Sequence, residues 1–157
     1  MRNQVRKAFT LVEILIVVVI LGILAAIVIP QFTSATQDAQ GGNIKAQLQT
    51  LQSQIELYRA RNNNTDPDFT NLAWNDLRGL DAQGAAIANA EQYIKKDPVN
   101  PAVPANAGFG NTTVVVSSTA TDHGSAAAAW VWNTSDNTLY ASYFDEVAGK
   151  VTDTATD

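Results

Sequence analysis

From Phe9 to Ile29 the chain is apolar for 21 residues, with a single charged side chain, Glu13, inside the run. As a helix rising ~1.5 Å per residue the run measures about 31 Å, which matches the ~30 Å hydrocarbon core of a bilayer. Lipid offers no partner to a backbone N–H or C=O, so a single segment of this kind can cross only as a helix. The basic residues Arg2, Arg6 and Lys7 precede the run, and no Lys or Arg follows until Lys45. The positive-inside rule then puts Met1 in the cytoplasm and the remainder of the chain outside.

Three readings of the run compete. A secretory signal peptide cut near Ala25-Ala26 would carry a carboxylate in its apolar core, and β-branched residues continue straight through the cut. In a plain single-pass anchor, Glu13 is tolerated because it lies near the helix start, where its cost falls below the ~2.5–3.5 kcal/mol of a mid-bilayer Asp. The third reading accounts for the whole order of residues. A short basic leader, the small Ala8, then "FTLVE" and a long apolar stretch resembles the class III signal of type IV pilins and of type II secretion pseudopilins, most of all a major pseudopilin. The resemblance covers about Lys7 to Gln31. It implies that a prepilin peptidase cuts between Ala8 and Phe9 and that Phe9 becomes N-methylphenylalanine. The family usually has Gly before the cut, and Ala8 is the one departure.

Cleavage would leave a cationic amine on Phe9, four residues before Glu13. The resemblance implies that, in a staggered stack of parallel helices, Glu13 of one subunit faces the amine of its neighbour. An isolated charge in lipid is costly, so subunits out of register are disfavoured, and register is the best-attested use of a buried ion pair. Gly22 and Pro30 weaken the same helix, and Pro30, lacking an N–H, leaves the Ala26 carbonyl without its helical partner. Filaments of the family often lose helix over such a stretch, which implies local melting on assembly; the alternative is an ordinary transmembrane Gly and Pro, both tolerated there.

Beyond Pro30 the period remains helical. Ile44, Leu48, Leu51, Ile55 and Tyr58 fall at spacings of 4, 3, 4 and 3, a narrow apolar stripe between glutamines, and Gly41-Gly42 predicts a bend. Asn62-Asn63-Asn64 and Pro67 end the helix. Residues 69–107 read as a loop-rich connection with one helical turn in "NLAWNDLRGL". Three of the five prolines fall in "YIKKDPVNPAVPANAG", whose Tyr, basic pair and Asp-Pro resemble the pseudopilin segment that leads into the sheet. The period then becomes two. "NTTVVVSSTA", "AAWVWN" and "TLYASYF" predict a three-stranded antiparallel meander with its clearest hairpin at Asp136-Asn137. Trp130 and Trp132 share a face and read as core residues rather than a ligand platform.

The expected fold is α+β: a long N-terminal helix, transmembrane in its first half and amphipathic in its second, packed on a small C-terminal antiparallel β-sheet. The parts are a basic leader (1–8), an assembly helix (9–30), an amphipathic helix (31–62) and a loop-plus-sheet domain (63–157).

The chemistry is constrained by what the composition lacks. Without its leader the chain has 7 basic against 15 acidic residues, which disfavours nucleic acid. It has no cysteine and one histidine, His123 in a turn, so imidazole or thiolate metal sites are unsupported. No nucleophile elbow, phosphate loop or paired carboxylate is found, and no enzymatic activity is expected. Major pseudopilins typically hold calcium near their C-terminus. The resemblance therefore makes Asp136, Asp145, Glu146 and Asp153 calcium candidates, against the simpler reading of a solvated acidic surface. The expected function is a structural filament subunit polymerised from the inner membrane through its N-terminal helix. Its expected partners are copies of itself, other pilins or pseudopilins, a prepilin peptidase and an inner-membrane assembly platform. A type II secretion pseudopilin is preferred, because the chain is small and lacks the C-terminal cysteine pair common in pili proper. A surface type IV pilin, or an anchored extracytoplasmic binding domain, is the alternative.

Overall fold

The computed structural model of the chain describes residues 9–119 and 127–152, with only the backbone of Thr33. The chain divides into two compact units, Met1–Thr36 and Gln37–Asp157. One helix of 51 residues, α1 (Leu11–Arg61), contributes to both.

In the second unit α1 buries the stripe that its spacing predicts: Ile44, Leu48, Leu51 and Ile55 are in the core, and Tyr58 is packed at its edge. The helix continues through Gly41-Gly42, where the sequence predicts a bend. The glycine at 41 answers a different need. A Cβ there would run into the backbone carbonyl oxygen of Gly149, so its absence lets another segment reach the helix backbone. At the C-terminus Asn63 and Asn64 adopt left-handed φ values of 54° and 61°, and the Asn64 amide bonds back to the Arg59 carbonyl at 2.9 Å. Asparagine tolerates this conformation well, which is why the asparagine run stops the helix.

The short helix α2 (Asn75–Arg78) ends on Gly79 in the left-handed region. Trp74 and Leu77 from this turn are buried, and Leu72 and Leu80 are half-buried. Trp74 packs edge-on to Phe69 (5.3 Å) and to Trp130 (6.2 Å), and its indole N–H donates to the Thr112 carbonyl at 2.7 Å.

Three strands, β1 (Val114–Ser117), β2 (Trp130–Asn133) and β3 (Thr138–Ala141), form one sheet in the order β1-β2-β3. The β2–β3 pair is the expected hairpin, with Trp132 opposite Leu139 and Asn137 at φ 56° in its turn. The β1–β2 pair corrects the expected meander: it is parallel, with Val114 opposite Trp130 and Ser117 opposite Asn133. Alternation sets which face is buried but not strand direction. The twelve residues between the two strands are long enough for the crossover that a parallel pair requires. A second correction concerns "TLYASYF", which is not one strand. Tyr143, at φ 61°, ends β3, and β4 (Phe144–Asp145) pairs with β5 (Lys150–Val151) as a separate antiparallel hairpin.

The core joins the α1 stripe to Phe69, Trp74, Leu77, Trp130, Trp132, Leu139 and Phe144. All three tryptophans are buried, so none offers a face to a ligand. Asn100, fully buried, fastens the proline-rich segment to this core. Its side-chain amide donates to the carbonyls of Ala129 (2.9 Å) and Ser142 (2.8 Å), while its Oδ1 accepts the Ala102 N–H at 2.9 Å.

Candidate functional site

In the first unit the apolar residues of α1 find no partner within the chain. Large side chains from Phe9 to Ile29 are exposed on every side of the helix, and Phe9 itself is 82% exposed. Among the described residues this is the one helix long and apolar enough to cross a membrane, with none of its apolar window buried. A helix that is apolar all round is covered by lipid, by other helices or by both.

Glu13 sits in the first turn and has a local partner that the expectation of a neighbour's amine did not include. Thr10 and Glu13 stand in the T-x-x-E spacing of a capping box. The Glu13 carboxylate accepts from the Thr10 backbone N–H and hydroxyl, both at 2.8 Å, and the Glu13 N–H donates to the Thr10 hydroxyl oxygen at 3.2 Å. The box satisfies donors that every helix N-terminus leaves open, and it places negative charge at the positive end of the helix dipole. Within one chain, then, the carboxylate is solvated by its own helix end. The spacing "TLVE" carries this signal in the sequence, so Thr10 is the functional residue that could have been read and was not.

Gly22 lies midway along the exposed helix, and a Cβ there would meet nothing within 4 Å. Pro30 is inside α1, which continues past it. One turn later the Ser34 hydroxyl donates to the Pro30 carbonyl at 3.3 Å, and Thr36 does the same to Phe32 at 2.9 Å. Glu13, Gly22 and Pro30 thus belong to one exposed helical segment, and the exposed Phe9 lies two residues before its start. Ala8, on the other side of the expected cut, lies outside the described residues.

Of the calcium candidates, Asp136 and Asp145 each cap a turn, and Glu146 follows Asp145 in the chain. Asp136 caps the β2–β3 turn, accepting the Thr138 N–H (3.1 Å) and the Tyr140 hydroxyl (2.7 Å). Asp145 caps the β4–β5 turn through the N–H groups of Val147 and Ala148, both at 2.8 Å. Asp153 and His123 lie outside the described residues. Among the described residues no three His, Cys, Asp or Glu side chains gather as metal ligands.

Comparison with known proteins bears on the same segment. Residues 3–29 match the family model described as the prokaryotic N-terminal methylation motif. Over 110 residues the chain is 32% identical to type II secretion system core protein G of Pseudomonas aeruginosa, an alignment covering 64% of this chain and 71% of that protein. The protein of the same name from Escherichia coli is 29% identical over 113 residues, 71% of this chain and 72% of the relative. Type IV major fimbrial protein FimA of Dichelobacter nodosus is 33% identical over 83 residues, 53% of this chain and 51% of the relative. No solved structure gives a significant match. With a capped and wholly exposed apolar helix inside a methylation motif, and with an alignment that extends well beyond that helix, the chain belongs to the family of type II secretion system core protein G.

Proposed function

We propose that the chain is the structural subunit of a pseudopilus, a filament polymerised from the inner membrane in support of protein export. A prepilin peptidase cuts between Ala8 and Phe9, and the new Phe9 amine is methylated. The subunit waits in the membrane with Met1's side cytoplasmic and the second unit outside, until an assembly platform adds it to a stack of parallel helices. The observation that carries this reading is an apolar helix exposed on all sides and headed by one capped carboxylate. Such a helix is covered by lipid before assembly and by its neighbours after it, and a carboxylate four residues from the processed amine gives them a register. The burial of all three tryptophans counts against an anchored binding domain that would use them as its ligand face.

The resemblance to a fimbrial protein favours a second reading, a surface pilus, through the same helix and the same processing. The absence of cysteine favours the secretion filament, since pili proper commonly carry a C-terminal cysteine pair.

Intact mass and the N-terminal peptide of the protein from its native membrane test the reading. Loss of residues 1–8 with one added methyl on Phe9 is the expected result. An uncut Met1, or a cut near Ala26, returns the chain to the anchored or secreted class. With Glu13→Ala, membrane insertion should persist and filaments should be lost; normal filament yield would sink the register role.

A further inference from the structure

We draw no further inference here: the strongest candidate, the recess of about 550 Å³ where the C-terminal end of α1 meets the loop that follows α2, lined by Tyr58, Arg61, Asp76, Glu91 and Tyr93, carries nothing, because these side chains pair with one another (Tyr58 with Asp76, Tyr93 and Arg61 with Glu91) and nothing in the structure shows what covers it.

Discussion

Asn100→Ala is the substitution whose cost follows most directly from the geometry. The side chain is fully buried and ties three backbone groups: the carbonyls of Ala129 and Ser142 and the N–H of Ala102, at 2.8–2.9 Å. Alanine removes all three bonds. A net ~1 kcal/mol per bond gives about 3 kcal/mol, and the Ala102 N–H, losing its acceptor inside the protein, raises the cost rather than lowering it. Spread over a unit the size of Gln37–Asp157, this corresponds to a fall in Tm of about 10 °C. Tryptophan fluorescence of the detergent-solubilised protein reads it, because all three tryptophans are buried in the core that Asn100 helps to close. Asn100→Asp serves as the companion. It keeps the acceptor for Ala102 but sets a carboxylate against two carbonyls, so it should be destabilised at neutral pH and partly recover in acid, where the protonated group can donate. A Tm within about 2 °C of wild type for Asn100→Ala would refute the reasoning, since it would mean that the three bonds are replaced at no cost.

Other outcomes follow from the same structure. Gly41→Ala should destabilise by about 1–3 kcal/mol, because its methyl meets the Gly149 carbonyl. Gly42→Ala, next to it with open space at its Cβ, should stabilise by up to ~1 kcal/mol through helix propensity. Denaturant titrations of the pair separate the two, and equal signs would contradict the close approach. Burial, together with the hydrogen bond to Asp136, pushes the Tyr140 hydroxyl up to about 12. This folded value lies above the ordinary 10.0, so the stabilisation is complete below pH 10 and lost as pH rises toward 12. Ultraviolet titration of the phenolates should show late tyrosines, Tyr58 beside Asp76 among them, and one fewer in Tyr140→Phe.

What could be read from the sequence, and what could not, divides along physical lines. The α1 stripe, its asparagine stop and the Asp136-Asn137 hairpin are local: each depends on residues a few positions apart, and each stands where the spacing put it. The tryptophans were legible as core because two of them alternate on one strand. Strand direction was not legible, since Val114–Val116 has the same pattern whichever way it runs beside β2. The β4–β5 hairpin was hidden because two-residue strands are too short to show a period, and because Tyr143 takes a conformation that favours glycine. Asn100 could be read only as a turn residue before a proline, as its two carbonyl partners lie 29 and 42 positions away. At the assembly helix, Glu13 was conspicuous from the first, being a charge in an apolar run. Its relation to Thr10 was equally available in the spacing and was obscured by the more distant partner that the family resemblance suggested.

The Thr10–Glu13 box has a consequence for how a pool of subunits behaves. A carboxylate whose sole partner was a neighbour's amine would be stranded each time a subunit left its filament, and departure would be nearly forbidden. Here the helix end itself accepts the charge back, at the same 2.8 Å distances, whenever the neighbour is gone. Leaving then exchanges one set of hydrogen bonds for another instead of exposing a bare ion to lipid. In the filament proposed above, the box would lower the cost of the free form and so make polymerisation more sensitive to subunit concentration.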